Sequence, residues 1–430
     1  MTSQQRVVVI GGGLAGLRLA QRLAPASVTV TVLGEESHAP YNRVLLAEVL
    51  AGRYAPEVAA LPAAGPGLRR GVRAVRIDRA ERRVHGDDGS VEPYDTLVLA
   101  TGSNPVLPPL RGLFEPEGRD LPDGVHPFRT MDDCLALDEA MRPGLRVVVI
   151  GGGLLGVSAA RALAARGAQV VLTQQGERLM ERQLDAEASA LLHAHLGTLG
   201  VEIHTECRVR GLTSDPSAGA AGRRRVTGAE LADGYRLDAD LVVLACGVRP
   251  RVGLAQAAGL DVRRGILVDD ELRTSNPHIH AIGDCAEHAG QVYGLAGPAL
   301  EQAEVLATIL SDRADDRAHQ GTGGAGGGVT DNAPRTYTGT RALTRLTLPT
   351  GIDLAAFGQT TPGPGDDVIR LADATRRTYR KVVVRGDRLV GGVLLGELSA
   401  VGTLARTWEG DEPLHATHQL IHLLTDDGGS

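Results

Sequence analysis

The chain has 430 residues, of which 43% are hydrophobic and 23% are charged, and its formal net charge at pH 7 is -7. This length and composition are those of a globular protein with two or three domains, and the negative charge argues against a general nucleic-acid-binding protein. No apolar run approaches the ~20 residues of a membrane-spanning helix. A buried strand is predicted so close to the first residue that it leaves no room for a signal peptide, and we therefore expect a cytoplasmic protein.

Residues 6–36 carry the strongest pattern in the sequence. A short apolar run predicts a buried strand, and Gly11, Gly13 and Gly16 follow it in the G-x-G-x-x-G spacing. Apolar residues at helical spacing come next, and a second predicted strand leads to Glu35. This order predicts a dinucleotide-binding unit, because the glycines admit a pyrophosphate at the helix N-terminus and the acidic side chain can accept hydrogen bonds from a ribose.

The same pattern recurs 140 residues later, in residues 146–180. Gly151, Gly153 and Gly156 again follow an apolar run and precede a helical period. Two such units predict two bound dinucleotides, and the usual pair is a permanently held flavin and a nicotinamide that comes and goes. A duplicated fold with one inactive copy is the alternative.

The remaining elements are predicted in chain order. These are a short helix at 44–50, strands at 72–78, 82–85 and 94–102, helices at 130–141 and 184–199, two strands within 201–212, a buried strand at 241–250, a strand ending at 282 and a helix at 299–310. Residues 336–397 are predicted to form an antiparallel sheet with a hairpin turn at Gly386 and Asp387. Helices at 398–408 and 415–424 are predicted to follow it.

Together these elements predict an α/β protein with two Rossmann-like dinucleotide-binding domains and a C-terminal α+β domain. We assign residues 1–110 and 241–313 to a discontinuous FAD-binding domain and residues 111–240 to an NAD(P)H-binding domain. The glycine-rich stretch 314–334 is predicted to be a flexible linker, and residues 335–430 form the C-terminal domain.

The sequence contains four widely separated cysteines: Cys134, Cys207, Cys246 and Cys285. They form neither a C-x-x-C nor a C-x4-C motif, which argues against a dithiol active site and against a Cys-ligated iron–sulfur cluster. His418 and His422 are spaced like two metal ligands on a helix, but no third candidate ligand accompanies them, so we expect no metal site.

The segments LVLATG, LACGVRP and AIGDCAEH occur with the two glycine motifs in the order of the two-dinucleotide flavoprotein reductases. The sequence therefore resembles glutathione-reductase-fold enzymes such as rubredoxin and ferredoxin reductases and apoptosis-inducing factor. PYNRVLLAEVLAG (40–52), LMERQLD (179–185) and YGLAGPALEQAEVLA (293–307) resemble the N-terminal flavin module of the assimilatory NAD(P)H-dependent nitrite reductase large subunit. The resemblance covers nearly the whole chain. The cysteine-rich iron–sulfur and siroheme regions of that subunit have no counterpart in it, so the resemblance implies the flavin input half alone.

The resemblance also implies which residues contact each dinucleotide. For FAD these are Gly11, Gly13, Leu14 and Ala15 at the pyrophosphate, Glu35 and Arg43 at the adenosine, Val75 at the adenine, Thr101 and Gly102 along the dinucleotide, and Gly283 and Asp284 at the ribitol. For NAD(P)H these are Gly151, Gly153, Leu155 and Gly156 at the dinucleotide, Gln174 and Arg178 at the position that selects the nucleotide, and Gly247 near the nicotinamide half.

Three positions depart from the family pattern. Many relatives pair a lysine near the flavin N5 with a glutamate on the second-motif helix, where this chain has Glu48 and Ser158. These two are flavin-proximal candidates, and loss of a positive charge near N5 is expected to lower the flavin potential or to change the hydride geometry. Gln174 stands where NAD-preferring relatives often have an acid. A neutral amide would not repel a 2′-phosphate, and Arg178 is near, so the choice between NADH and NADPH stays open.

The resemblance implies an enzyme that takes hydride from NAD(P)H and passes electrons through FAD to a separate protein of nitrite or nitrate reduction. One alternative is a ferredoxin or rubredoxin reductase that supplies an oxygenase through a small iron–sulfur protein. Another is a flavin-binding redox sensor with weak NAD(P)H activity, which Glu48, Ser158 and Gln174 would favour. The strand-rich C-terminal end could form a homodimer, cover the flavin or dock the acceptor.

Overall fold

The structure is a computed structural model that describes residues 4–24, 26, 28–62, 65, 67–116, 118–216, 218–219, 222–320, 336–348, 352–373, 375–414 and 424. The chain divides into two compact units. The first unit comprises Met1–Leu45, Ala55–Asn104 and Val248–Thr340, and the second comprises Leu46–Tyr54, Pro105–Gly247 and Arg341–Ser430.

The elements are numbered in chain order. The strands are β1 Gln5–Ile10, β2 Val28–Gly34, β3 Leu68–Arg70, β4 Ala74–Asp78, β5 Arg83–Gly86, β6 Val91–Pro93, β7 Thr96–Leu99, β8 Ser103–Pro105, β9 Val125–Pro127, β10 Arg146–Ile150, β11 Gln169–Thr173, β12 Val201–His204, β13 Val209–Asp215, β14 Arg225–Leu231, β15 Arg236–Asp238, β16 Leu241–Leu244, β17 Val248–Pro250, β18 Ile266–Val268, β19 Ile279–Ala281, β20 Ala286–His288, β21 Leu343–Leu348, β22 Ile352–Gly358, β23 Asp367–Asp373, β24 Thr378–Arg385 and β25 Arg388–Gly396. The helices are α1 Leu14–Leu23, α2 Leu46–Leu50, α3 Met131–Ala140, α4 Leu154–Ala165, α5 Ala186–Thr198, α6 Gly253–Ala257, α7 Ala296–Gln320 and α8 Val401–Gly410.

Five parallel strands form the main sheet of the first unit, in the order β19-β7-β1-β2-β3. The central strand β1 supplies residues to two separate cores. Val7 and Val9 pack with residues of α1 and α7, whereas Val8 and Ile10 pack with residues of the antiparallel β4-β5-β6 meander and of α6. Burial on both faces explains why Val7 to Ile10 of β1 form a continuous apolar run. Because the strands are parallel, the turns that follow β1, β7 and β19 lie at one edge of the sheet.

The second unit contains a sheet of the same kind, in the order β12-β11-β10-β16-β9, and a separate antiparallel meander of β13, β14 and β15. Strand β16 pairs in parallel with both β10 and β9 and is fully buried. The assignment of residues 241 onward to the FAD-binding domain therefore began too early. β16 is an interior member of the second sheet, and the first unit resumes only at Val248.

The C-terminal sheet is antiparallel, in the order β21-β22-β25-β24-β23, as the sequence predicted. Gly386 and Asp387 form the two-residue connection between β24 and β25, and Gly386 has the positive φ of 62° that such a turn requires. One face of the sheet packs on α8, where the rings of Phe357 and Trp408 lie 5.2 Å apart. Apart from Leu424, the helix predicted at 415–424 lies outside the described residues, together with His418 and His422.

Helix α7 begins before and ends well after the helix predicted at 299–310. Residues 314–320, which the sequence analysis assigned to the linker, are helical. The segment 301–320 contains neither glycine nor proline, so no residue in it disfavours continuation of the helix. The glycine-rich part of the predicted linker lies outside the described residues. Among the residues that the structure describes, there is no helix with the length and apolarity that crossing a membrane requires.

A buried ion pair joins the C-terminal sheet to α5, within the second unit. Lys381, the only lysine in the sequence, donates from Nζ to Oδ2 of Asp185 over 2.6 Å, and Tyr379 donates its hydroxyl to the same oxygen over 2.7 Å. Oδ1 of Asp185 caps α5 by accepting from the backbone N–H of Ala188 over 3.0 Å. The Lys381 and Asp185 side chains are only 9% and 14% exposed. Asp185 therefore fixes the start of a helix and the position of a sheet at once.

Replacing Lys381 with methionine is expected to lower the free energy of unfolding by about 3–5 kcal/mol, because it leaves a buried carboxylate without its cation. Burial acts to raise the pKa of Asp185, but hydrogen bonds from Lys381, Ala188 and Tyr379 outweigh it and lower that pKa. The pair therefore stabilises the fold above the usual pKa of aspartate, and this stability is lost as the pH falls through the lowered value. Urea unfolding of wild type and variant at neutral and acid pH measures the effect. Lys381→Arg keeps the charge, and an equal loss in that control would show that packing matters more than charge.

Candidate dinucleotide-binding sites

The first glycine turn joins β1 to α1 and has no room for side chains. Gly11 has a φ of +120°, and a methyl group on it would lie 2.0 Å from the carbonyl oxygen of Ala100. A methyl group on Gly16 would lie 2.1 Å from the carbonyl oxygen of Gly11. Strand β7, the turn and α1 are thus in backbone contact, as the spacing of the motif predicted.

Gly13 has a different role in the same turn. It is the N-cap of α1, where no side chain caps the helix, and no described atom outside its chain neighbours lies within 4 Å of a methyl group built on it. The first N–H groups of a helix need acceptors, and an uncapped N-terminus that faces open space suits a pyrophosphate. Leu14 and Ala15 begin this helix, and Ala15 lies beside Gly283, whose added methyl would be 3.1 Å from the Ala15 Cβ.

The second glycine turn, between β10 and α4, repeats this geometry. Gly151 has a φ of +113°, and its added methyl would lie 2.5 Å from the carbonyl oxygen of Ala245. On Gly156 the methyl would lie 1.7 Å from the carbonyl oxygen of Gly151. Gly153 is again an N-cap without a side-chain cap, and no described atom outside its chain neighbours lies within 4 Å of an added methyl. Leu155 lies in the first turn of α4. Both turns therefore have the fixed backbone and the uncapped helix that a dinucleotide needs.

After β2, Glu35 and Arg43 form ion pairs with different residues. Glu35 forms an ion pair with Arg251 over 2.7 Å, whereas Arg43 donates to Glu36 and its guanidinium lies 5.3 Å from the ring of Tyr41. Tyr41 also donates its hydroxyl to Glu36 over 2.6 Å. Neither Glu36 nor Arg251 was among the residues predicted to contact FAD. The adjacency of two acids offered the only signal for Glu36, and the sequence offered none for Arg251, which lies far along the chain.

The turns after β7 and β19 bring the next FAD candidates together in the first unit. Gly102 has a φ of +70°, and Thr101 donates its hydroxyl to the carbonyl of Arg251 over 2.8 Å. Asp284 accepts a hydrogen bond from Ser103 over 2.8 Å. Gly283 has a φ of +76° and donates its N–H to the side-chain oxygen of Gln302 over 2.7 Å. Ser103 and Gln302 were not predicted, because each is recognised only by its contact with a distant turn.

Val75 lies at an irregularity of the β4-β5 ladder. Ala74 pairs with Gly86 and Arg76 pairs with His85, so the register skips Val75. Such a bulge turns a backbone group out of the ladder, as an adenine contact through the backbone requires.

At the second site, Gln174 accepts a hydrogen bond on its side-chain oxygen from the N–H of Gly152 over 2.8 Å. The two sheets can be compared by register, because Ile10 pairs with Leu33 and Ile150 pairs with Thr173. The residue two positions after this partner is Glu35 in the first unit and Gln175 in the second. Gln175 therefore holds the position in the second sheet that Glu35 holds in the first. Gln175 is exposed, and it was not among the residues predicted to contact NAD(P)H.

Two further NAD(P)H candidates also have defined surroundings. Arg178 lies 3.8 Å from the carboxylate of Glu177, a loose ion pair at the surface. Gly247 has a φ of +93° in the turn after β16, and its carbonyl accepts from the N–H of Val106 over 2.9 Å.

Glu48 and Ser158 are both in the second unit, and Glu48 has an ion-pair partner that the sequence analysis missed. Ser158 donates its hydroxyl to the carbonyl of Leu154 within α4 over 2.8 Å. One helical turn later, Arg161 donates to the Glu48 carboxylate, and Arg53 lies 3.7 Å from the second carboxylate oxygen. A charged pair therefore joins α2 to α4, with the carboxylate on α2 and the cation on α4. It was overlooked because Arg161 lies three residues beyond Ser158, the candidate on the same helix.

Arg161 is one of the most deeply buried charged residues that the structure describes, with 1% of its surface exposed. Its Nε and Nη1 have no hydrogen-bond partner among the described residues. Burial lowers the pKa of Arg161, and the Glu48 carboxylate opposes that change.

The four cysteines are unpaired thiols, and two of them, Cys134 and Cys285, are fully buried. Burial raises the pKa of Cys134 to about 12 and the pKa of Cys246 to about 11. A protonated, buried thiol is a poor nucleophile, which agrees with the absence of a dithiol motif from the sequence.

Two glycine turns, each on its own parallel sheet, define a protein with two dinucleotide-binding folds. The chain belongs to the pyridine nucleotide-disulphide oxidoreductase family, which matches residues 5–303, and residues 344–409 match the rubredoxin NAD+ reductase C-terminal domain. The expected fold class, the FAD cofactor and the use of NAD(P)H as substrate are thereby confirmed, and the chain is an FAD-dependent NAD(P)H oxidoreductase.

Two proteins of Bacillus subtilis are similar to this chain over most of its length. The chain is 33% identical to the nitrite reductase [NAD(P)H] of Bacillus subtilis (strain 168), over 92% of this chain and 46% of that protein. It is 32% identical to the assimilatory nitrate reductase electron transfer subunit of the same organism, over 92% of this chain and 48% of that protein. The chain thus spans about half the length of these curated relatives. In a covalent putidaredoxin reductase–putidaredoxin complex, a chain with 25% identity superposes with a TM-score of 0.81, over 99% of this chain and 97% of that one.

Proposed function

We propose that the protein takes reducing equivalents from NAD(P)H into FAD and passes them to a separate redox protein, as the electron-transfer component of assimilatory nitrite or nitrate reduction. The observation that carries this proposal is the pair of uncapped glycine turns, one on each parallel sheet. The names of the two Bacillus subtilis relatives support the choice of acceptor.

The residues around each turn fit their dinucleotides. Gly13 and Gly153 leave the N-terminus of α1 and the N-terminus of α4 open for the two pyrophosphates. When bound, FAD supplies the two-electron chemistry with NAD(P)H and the onward transfer to the acceptor. The protein's share is binding and orientation, and Asp284, held by Ser103, is placed at the ribitol in this proposal.

The first experiment is an anaerobic visible spectrum of the purified flavoprotein, before and after NADH and then NADPH. Rapid bleaching of the flavin band by either nucleotide is the expected result, and it identifies the preferred donor. A flavin that stays oxidised with both nucleotides would contradict the proposal and would favour the redox-sensor alternative. The reduced protein is then mixed with a purified nitrite or nitrate reductase component, which should reoxidise the flavin.

A ferredoxin or rubredoxin reductase is the second candidate. It is favoured by the match of residues 344–409 to the rubredoxin NAD+ reductase C-terminal domain and by the likeness to putidaredoxin reductase in its complex. Reoxidation of the flavin by a small iron–sulfur protein, and not by the nitrite or nitrate reductase component, would establish this candidate in place of the first.

A further inference from the structure

Three neighbouring turns lie at the sheet edge of the first unit that carries the predicted FAD contacts. The strand order β7-β1-β2 places the glycine turn, which follows β1, between the turn that follows β7 and the residue that follows β2. Thr101 and Gly102 lie in the first of these outer positions, and Glu35 lies in the second. Because neighbouring strands are about 4.8 Å apart, the two outer positions are separated by roughly 10 Å. A side chain that joins them must cross the edge that carries the glycine turn.

Arg251 is a residue that joins the two outer positions. Its backbone is fixed on the β7 side, where its N–H donates to the carbonyl of Gly102 over 2.9 Å and its carbonyl accepts from the hydroxyl of Thr101 over 2.8 Å. Its side chain reaches the β2 side, where Nη1 lies 2.7 Å from Oε2 of Glu35. The arginine therefore extends across the edge of the sheet from one outer position to the other, past the glycine turn.

This edge offers both space and a positive charge to an anion. No described atom outside its chain neighbours lies within 4 Å of a methyl group built on Gly13, so the Arg251 side chain leaves the N-terminus of α1 open. The side chains of Arg251 and Glu35 are 40% and 41% exposed, so a ligand can approach both. A guanidinium presents a fork of N–H donors that suits phosphate oxygens, and one ion pair leaves part of that fork available.

We propose that Arg251 is a further binding residue for FAD, whose guanidinium donates to the pyrophosphate at the glycine turn. Glu35 orients this guanidinium through Oε2, while its other carboxylate oxygen can accept from a ribose hydroxyl. The proposal concerns only the binding of FAD. It does not depend on which protein accepts the electrons, so it can fail or succeed separately from the proposed function.

The test compares FAD affinity in the full-length protein and in the variant Arg251→Met, which keeps an extended side chain and removes its charge. Free FAD in ultrafiltrates of the purified proteins gives the dissociation constant, which is expected to rise roughly 10-fold at low salt, the effect of one charge-assisted hydrogen bond. The rise should shrink with added salt, because counterions screen an exposed charge. Arg251→Lys keeps the charge and should retain most of the affinity.

Arg6→Met is the matched control in the same sheet. Arg6 also forms an exposed ion pair, with Asp95 over 2.9 Å, but it lies near the start of β1, at the edge of the sheet opposite the glycine turn. The change in charge is the same as in Arg251→Met, whereas the distance from the glycine turn is nearly the length of the strand. FAD affinity in Arg6→Met should therefore equal that of wild type at every salt concentration.

A second comparison separates direct contact with FAD from simple neutralisation of Glu35. If Arg251 donates to FAD itself, Arg251→Met should weaken binding by a similar factor in the Glu35→Gln background, since the amide oxygen of glutamine can still accept from the guanidinium. Loss of the effect in that background would overturn the proposal, because the arginine would then act only on the carboxylate. So would an FAD affinity that Arg251→Met leaves unchanged, or a weakening that is independent of salt or that Arg6→Met reproduces.

Discussion

Gly151→Ala is expected to give a protein that keeps its FAD but is no longer reduced by NADH or NADPH. The φ of +113° at Gly151 is one that alanine adopts only under strain, and the added methyl would lie 2.5 Å from the carbonyl of Ala245. The turn must therefore move, and with it the N-terminus of α4. We expect the dissociation constant of the nicotinamide dinucleotide to rise by about 100-fold or more, which corresponds to the roughly 3 kcal/mol that strain and clash together supply.

Gly153→Ala is the matched variant in the same turn. Gly153 has an ordinary φ of -80°, and no described neighbour lies within 4 Å of its added methyl, so stability should be unchanged or slightly higher. The methyl would occupy the space assigned to the pyrophosphate, and nucleotide affinity should fall without unfolding. Stopped-flow reduction, bound-flavin content and thermal melting distinguish the two variants. Reduction of Gly151→Ala at the wild-type rate would show that the second turn does not bind the donor.

The two nucleotide-binding folds could be predicted from sequence because their signals are local. The burial of β1 on both faces is visible as an unbroken apolar run, and the close approach of α1 to β1 requires glycine at fixed spacing. The hairpin at Gly386 and Asp387 was predicted for the same reason. In each case the residues that decide the structure are neighbours in sequence.

The parts that were missed depend on side chains far apart in the chain. Arg161 meets Glu48 across 113 residues, and Gly283 is held by Gln302, whose position on α7 has no distinguishing pattern. The strand β16 was assigned to the wrong domain because the sequence of an apolar strand does not indicate which sheet the strand will join. Spacing and periodicity in the sequence give no information about such contacts, whereas the folded structure shows them directly.

Glu48→Ala is expected to lower the free energy of unfolding by about 3–5 kcal/mol, and this is the larger of two unequal effects at one ion pair. The Arg161 guanidinium is almost fully buried, and two of its nitrogens, Nε and Nη1, have no hydrogen-bond partner among the described residues, so removal of Glu48 leaves a cation with no compensation. Arg161→Met should cost much less. It replaces the cation with an apolar chain of similar length, and Glu48 keeps Arg53 3.7 Å from its second oxygen.

The difference between the two losses of stability shows which residue of the pair needs the other. If the carboxylate exists to compensate the buried arginine, Glu48→Ala must be the more damaging change, and the double variant Glu48→Ala with Arg161→Met should recover most of the lost stability. Urea unfolding of the four proteins measures the coupling free energy directly. Equal losses in the two single variants, or a double variant as unstable as Glu48→Ala, would contradict the expectation.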